Sequence, residues 1–192
     1  MPRLFTGIEI PAEQREQIAR LKVPLPGGGR WTEPTDLHLT LRFVGDIERP
    51  QAEEFAERLE SIDLDAFELR LSGLGVFGGN EPRSIWAGVE ESAPLETLAR
   101  ACDRAARSAG LPPDGRQFKA HVTLARIKYA SADEVARVLQ RLGAFRSEPF
   151  IVSRFVLFSA KPKTGGGPYA IEEAFNLRGG EYAHDLDLDY GW

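Results

Sequence analysis

DLHLTLRF, residues 36–43, reads as a β-strand in which a histidine and a threonine stand two apart among leucines. Alternate side chains of a strand point to the same face. His38, Thr40 and Arg42 are therefore predicted to share one face, while the leucines and Phe43 face a core. A lone His-x-Thr pair usually indicates no more than the polar face of an amphipathic strand.

The same pattern recurs in HVTLAR, residues 121–126, where His121 and Thr123 are again two apart. The two histidines are 83 positions apart (121 − 38), close to half of the 192 residues. Each half reads as strand, helix, His-x-Thr strand, helix and strand, with one more strand at the end of the second half. This repeat predicts a bilobal α+β fold with a pseudo-two-fold axis, two mostly antiparallel sheets, outer helices and a central cleft.

Hydrophobic spacing predicts the individual helices and strands. The helices are expected over residues 12–22, 51–63, 93–110 and 131–143, and the last begins with the capping-box pattern Ser131 and Glu134. Apart from the His-x-Thr strand in residues 36–43, strands are expected over 3–10, 67–77, 84–90, 118–127, 149–160 and 169–178.

Composition excludes several classes of protein. A hydrophobic content of 42% is enough for a buried core, and no apolar run approaches the roughly 20 residues of a membrane helix. The net charge of −5 argues against broad electrostatic coating of nucleic acid but allows a small basic pocket. The single cysteine, Cys102, lies on an apolar helix stripe and reads as core. We expect a cytoplasmic protein, since the N-terminus does not resemble a secretion signal.

The last segment, residues 181–192, differs in composition from the rest. It holds four acidic residues and neither lysine nor arginine. We predict one domain over residues 1–180, with interleaved lobes that carry one motif each, followed by an acidic, solvated tail.

Two His-x-Thr strands that converge could perform chemistry at phosphorus. Two histidines can divide the roles of acid and base near neutral pH, and two threonine hydroxyls can donate to phosphate oxygens. Arg42 and Arg126 add guanidinium groups, which suit phosphate. A zinc site would need three or four ligands, and the third histidine, His184, stands in the tail. We therefore expect no metal and no cofactor.

The motifs also resemble a known family. The stretches RLFTGIEIP, RWTEPTDLHLTLRFVG, GLGVF, PRSIWAGV and HVTLAR, within about residues 3–178, are similar to those of the 2H phosphoesterases. Within that group they resemble the bacterial and archaeal RNA 2′,3′-cyclic phosphodiesterases, also called 2′-5′ RNA ligase-like proteins. The resemblance implies metal-independent hydrolysis of a 2′,3′-cyclic phosphate, on RNA ends or nucleotides, to a 2′-phosphomonoester.

Carried over residue by residue, the resemblance implies roles for individual side chains. His38 would be the proton donor to the leaving 3′-oxygen, and His121 the proton acceptor that activates water. Thr40, Thr123 and Arg126 would bind the phosphate. Phe43 and Arg42 are candidates for nucleotide contact, although Phe43 could stack on a base only if the strand bends at its end.

Two alternatives stay open at this point. The same groups could support 2′-5′ RNA ligation, or the protein could be a nucleotide or RNA binding module without catalysis. Complete pairs of histidine and threonine favour an enzyme, because binding alone needs no paired acid and base. We expect a monomer that meets no membrane.

Overall fold

The computed structural model describes residues 3–160 and 169–180, so the acidic tail lies outside the described residues. The helices are α1 (Ala12–Ala19), α2 (Arg49–Glu60), α3 (Ala93–Ser108) and α4 (Ala132–Leu142), and each overlaps a predicted helix. The predicted capping box of α4 is confirmed. The Ser131 hydroxyl accepts from the Glu134 N–H at 3.3 Å, and the Glu134 carboxylate accepts from the Ser131 N–H at 2.8 Å.

The strands follow the predicted order, with two additional breaks and one additional short strand at residues 30–31, which was not predicted. They are β1 (Arg3–Glu9), β2 (Arg30–Trp31), β3 (His38–Asp46), β4 (Phe67–Leu69), β5 (Leu71–Phe77), β6 (Ser84–Val89), β7 (Val122–Arg126), β8 (Phe150–Val152), β9 (Arg154–Ala160) and β10 (Tyr169–Asn176). The single strands predicted over 67–77 and 149–160 are each divided in two. At the first break the carbonyl of Arg70 accepts a hydrogen bond from the Glu90 N–H, and at the second the carbonyl of Ser153 accepts one from the Leu177 N–H, both at 2.9 Å. At each break the chain passes from one sheet to the other.

All the strand pairs of the sheets are antiparallel. The larger sheet has the order β10-β9-β1-β3-β7-β6-β5, with β2 also on β7, and β4 pairs with β8 in a two-stranded sheet. We call β10-β9-β1-β3 the first lobe and β7-β6-β5 the second lobe. Strand β5 belongs to the first half of the sequence and β9 to the second, so the halves exchange strands.

The lobes meet along β3 and β7 at one register pair, Leu39 with Val122. These two residues are 83 positions apart (122 − 39), the same offset that separates the two motif histidines. Equivalent residues of the two halves therefore pair with each other, and the pseudo-two-fold axis passes between them. The predicted bilobal symmetry is confirmed.

The core lies between the sheet and the helices. Its buried strand residues include Leu4, Ile8, Leu39, Leu41, Val122, Leu124, Phe155 and Leu157, and its helix residues include Ile18, Phe55, Leu59, Leu95, Leu98 and Cys102. Helix α4 packs separately, through Val135 and Val138, on Ile85, Ala125 and Ile127. The helices thus cover one side of the larger sheet, as predicted for an α+β fold. We call the opposite side the open face.

Candidate active site

The motif side chains meet where the two lobes join. Leu39 and Val122 are fully buried on the helix side, so their neighbours point to the open face. Counted outward from this antiparallel pair, His38 lies across from Thr123, and Thr40 lies across from His121. The structure therefore brings the four predicted motif residues together, with each histidine facing the threonine of the other motif.

Both motif strands contain a β-bulge directly after the threonine. In β3, Gly7 pairs with Thr40 and Thr6 with Arg42, which leaves Leu41 as an extra residue. In β7, Trp86 pairs with Thr123 and Ile85 with Ala125, which leaves Leu124 as the extra residue. A bulge interrupts the alternation of faces. Residues beyond it point to the face opposite to the one that simple alternation predicts.

Arg42 is the residue for which this matters most. Its side chain is 7% exposed, and it donates to Asp103 Oδ1 at 2.8 Å and to the carbonyls of Phe43 and Pro112. Asp114 lies 3.7 Å away. The prediction that Arg42 shares a face with His38 is wrong, because the bulge turns it toward α3. There it ties the loop that precedes the second motif to β3.

The same bulge turns Phe43 to the open face, opposite to the core position that simple alternation predicts. Phe43 packs with Phe5 and Phe158 on the open face, and the guanidinium carbon of Arg116 stands 5.6 Å from the centre of its ring. Phe43 and Arg126 are also 83 positions apart (126 − 43), so they occupy equivalent places in the two motifs. One end of the site is therefore aromatic and the other cationic.

The two histidines are fixed by the same backbone contact. His38 Nδ1 lies 2.7 Å from the carbonyl oxygen of Asp36, and His121 Nδ1 lies 2.6 Å from that of Lys119. A carbonyl can only accept, so Nδ1 carries the proton in both rings. Nε2 of each histidine is then left to exchange a proton with a ligand.

His38 sits among aromatic rings. Its ring centre is 4.9 Å from that of Phe5, 4.7 Å from Tyr169 and 5.7 Å from Phe158. This burial lowers the pKa of His38, the bond to Asp36 opposes the shift, and electrostatic interaction with His121 and Arg126 lowers the pKa further. The same effect places Arg126 within electrostatic reach of His38. In the free protein, neutral His38 is favoured.

His121 has a different set of neighbours from the second lobe. The ring centre of Phe77 lies 4.9 Å from that of His121, in an edge-to-face arrangement, and the ring centre of Trp86 lies 6.2 Å away. The Lys119 ammonium is 4.5 Å from the centre of the Trp86 ring, a cation–π contact. Gly75 makes room for this indole, because a Cβ at Gly75 would stand 2.1 Å from Trp86 Cζ2.

Comparison with known proteins agrees with this geometry. The sequence profile described as LigT like Phosphoesterase matches residues 8–86 and 88–169, two segments that each contain one His-x-Thr motif. The chain belongs to the LigT-like phosphoesterase family. The resemblance to the 2H phosphoesterases is thereby confirmed.

Relatives of this LigT-like phosphoesterase carry a consistent name. A protein of Aquifex aeolicus, named RNA 2′,3′-cyclic phosphodiesterase, is 33% identical over 92% of this chain and 98% of its own length. A protein of Aeropyrum pernix with the same name is 37% identical over 69% of this chain and 74% of its own.

Solved structures show the same fold. E. coli LigT complexed with 3′-AMP matches with a TM-score of 0.75 and 25% identity, over 93% of this chain and 99% of that one. A Thermus thermophilus protein matches with a TM-score of 0.77 and 26% identity, over 92% of this chain and 98% of that one.

The remaining sequence predictions concern groups outside the motifs of the phosphoesterase. Cys102 is fully buried in the core, which confirms the prediction, and this burial raises the pKa of its thiol to about 12. Within residues 3–160 and 169–180, no group of three histidine, cysteine or acidic side chains could hold a metal ion. None of the helices in this part of the chain is long and apolar enough to cross a membrane.

Sequence reasoning missed the surroundings of both histidines. Phe5, Phe158 and Tyr169 come from β1, β9 and β10, and Trp86 comes from β6. The strands that carry these rings were predicted. The rings lie beside a histidine, however, because of the register between neighbouring strands, which the sequence of a single strand does not determine. Glycines opposite them, such as Gly75 opposite Trp86, are the local signal of a tight approach.

Proposed function

We propose that this phosphoesterase hydrolyses 2′,3′-cyclic phosphates of RNA ends or nucleotides to 2′-phosphomonoesters, without a metal ion. The observation that carries the proposal is the symmetric pair of histidines. Each has Nδ1 bonded to a backbone carbonyl and stands across from the threonine of the other motif. The curated names of the Aquifex and Aeropyrum relatives support the same activity.

The geometry suits an in-line displacement at phosphorus. Thr40 and Thr123 donate hydroxyl hydrogen bonds to the two non-bridging oxygens of the cyclic phosphate. His121 accepts a proton from water at Nε2 while the water oxygen forms a bond to phosphorus. The bond from phosphorus to the 3′-oxygen breaks, and His38 gives that oxygen its Nε2 proton. The product keeps the phosphate on the 2′-oxygen, and both histidines return to their starting states by exchange with solvent.

The proton-donor role of His38 depends on bound substrate. Burial lowers the pKa of His38 in the free protein, so the ring is then mainly neutral near pH 7. A phosphate anion close to the ring favours the imidazolium form, because opposite charges stabilise each other. Binding of the substrate thus supplies His38 with the proton that it later transfers.

Two further side chains take part in substrate binding. Arg126 pairs with the phosphate or its nucleotide, which agrees with its electrostatic reach to His38. Phe43, partly exposed on the open face beside the Arg116 guanidinium, offers a ring on which a base can stack. Arg42 takes no part, since its guanidinium is engaged by Asp103 and two carbonyls.

We also propose that the protein works as a monomer in the cytoplasm, with a single domain over residues 1–180 and a separate acidic tail. Both motifs come from one chain and meet at the Leu39–Val122 pair, so no second copy is needed to assemble the four side chains. The buried, unpaired Cys102 fits a reducing compartment.

An assay with cyclic substrates tests the activity. The protein is incubated in EDTA with the four nucleoside 2′,3′-cyclic phosphates and with a short RNA that ends in one, and the product is identified. We expect a 2′-phosphate, and a loss of kcat of about 10²–10⁴ in His38→Asn and in His121→Asn. Asparagine keeps a donor near the position of Nδ1 for the backbone carbonyl, so both variants should fold.

The other outcomes separate the alternatives. Untouched substrates that nevertheless bind would indicate a binding module. A 3′-phosphate product would contradict the role of His38 as donor to the 3′-oxygen. Joining of RNA ends in place of hydrolysis would favour the ligase activity.

A further inference from the structure

Two arginines stand directly opposite each other on neighbouring strands beside the active site. Arg30 of β2 pairs with Arg126 of β7, and the next pair is Trp31 with Ala125. Trp31 and Ala125 belong to the apolar cluster under α4, so the two arginines point to the open face. Both are exposed. Like charges directly opposite on adjacent strands destabilise a sheet.

Nothing in the described part of the chain neutralises this pair. Among residues 3–160 and 169–180, neither Arg30 nor Arg126 lies within 4.0 Å of a carboxylate. An unbalanced cationic group on a chain of net charge −5 calls for an anionic ligand.

The position of the pair indicates which anion it meets. Arg126 follows Thr123 by three residues on β7 and, beyond the bulge, shares the open face with His38, so in the proposed reaction it serves the reacting phosphate. Arg30 lies on the neighbouring strand β2, with its backbone about 4.8 Å from that of Arg126. In the proposed reaction His38 stands at the 3′-oxygen, so the C4′ side of the ribose and its 5′-oxygen lead toward Arg126 and Arg30. C1′ and the base lead the other way, toward Phe43.

We propose that Arg30 binds the phosphodiester on the 5′ side of the terminal nucleotide of an RNA substrate. A guanidinium group matches two phosphate oxygens at once. The subsite makes RNA ends better substrates than free cyclic mononucleotides, which lack this phosphate. The inference rests on the proposed function and specifies the substrate class of the same site.

A pair of substrates that differ by one phosphodiester tests the subsite. Adenosine 2′,3′-cyclic phosphate is compared with adenylyl-(3′-5′)-adenosine 2′,3′-cyclic phosphate. We expect a higher kcat/KM for the dinucleotide in the wild type, and a loss of about tenfold in this preference in Arg30→Gln. Arg30→Lys should retain part of it, because lysine keeps the charge but not the two-point contact. The dinucleotide rate should also fall more steeply with salt, and Arg30→Gln should remove that difference.

Arg137→Gln is the matched control. Arg137 is an exposed arginine of α4, which packs through Val135 and Val138, so it stands away from the open face. This variant should keep the wild-type preference and salt dependence. An Arg30→Gln variant with unchanged preference would overturn the subsite, and so would equal losses on both substrates. Inactivity of the wild type on both substrates would instead count against the proposed function.

Discussion

Leu41 and Leu124 are equivalent residues of two symmetry-related strands, and each is the extra residue of a β-bulge that directly follows the motif threonine. Each bulge turns the residue two positions later toward the open face. That residue is Phe43 in one strand and Arg126 in the other. The symmetric histidines and threonines therefore lie between unlike ends, and the proposed function predicts one preferred orientation for a nucleotide in the site.

Replacement of Phe43 tests the aromatic end. Phe43→Leu retains apolar packing on Phe5 and Phe158 but removes the stacking surface. We expect KM for nucleoside cyclic phosphates to rise about five- to twentyfold while kcat changes little, since stacking contributes about 1–2 kcal/mol per base. Steady-state kinetics with all four nucleosides measure this. A fall in kcat at constant KM would contradict the role of Phe43 as a stacking surface for the base.

Anion binding should be coupled to protonation of His38. Burial lowers the pKa of His38 in the free protein below its ordinary 6.5, and a bound anion raises it. Between these two pKa values binding takes up a proton, so affinity rises as the pH falls from the pKa of the bound state to the lowered pKa of the free protein, and it is constant outside that range. Sulfate is a suitable probe because it does not titrate in this range. Calorimetry in two buffers of different ionisation enthalpy reports the uptake.

His38→Asn is the control for this coupling. The variant retains a group that can donate to the Asp36 carbonyl but has no imidazole to titrate. Sulfate binding to His38→Asn should take up fewer protons than binding to the wild type, and the difference is the contribution of His38. Unchanged uptake in the variant would show that another group titrates on binding.

Arg42 is expected to act on stability. Its guanidinium is 7% exposed, whereas its partners Asp103 and Asp114 are 33% and 28% exposed. Arg42→Gln should lower the free energy of unfolding by about 2–3 kcal/mol, because it removes the buried ion pair with Asp103 and leaves the carbonyls of Phe43 and Pro112 without this donor. Urea denaturation measures the difference.

A surface ion pair provides the comparison for Arg42. Arg58 bonds Glu54 at 3.0 Å on α2, with both side chains about half exposed at 52% and 49%. Arg58→Gln should cost less than about 1 kcal/mol. Equal effects of the two substitutions would show that burial adds nothing at Arg42.

Gly75 is predicted to be essential for the position of the Trp86 indole. A Cβ at Gly75 would stand 2.1 Å from Trp86 Cζ2, so Gly75→Ala must displace the ring beside His121. We expect a loss of about 1–3 kcal/mol in stability and a lower kcat. Gly115→Ala, where a Cβ meets nothing within 4 Å, should leave both unchanged or raise stability slightly. Denaturation and kinetics of the two variants decide the point.

The fold and the motif residues could be predicted from the sequence because their signals are local or repeated. The helices, the capping box of Ser131 and the two His-x-Thr strands are each encoded in a short continuous stretch of the sequence. The offset of 83 residues then links the halves and yields the pseudo-two-fold axis.

The orientation of Arg42 and the aromatic surroundings of the histidines depend on longer-range pairing. A bulge is set by the register between β1 and β3, which the sequence of β3 alone does not reveal. Likewise, Arg30 becomes a neighbour of Arg126 only through the pairing of β2 with β7. Strands of two residues are too short to carry a periodic signal.

The pairing of Leu39 with its equivalent Val122 has a consequence for the origin of the site. Two identical half-chains associated about a true two-fold axis would present the same four histidine and threonine side chains. In such a homodimer, however, the residues at both ends of the site would have to be identical. The joining of both halves in one polypeptide allows phenylalanine at position 43 and arginine at position 126, so the two ends can differ, as the proposed function requires for a substrate that itself has no symmetry.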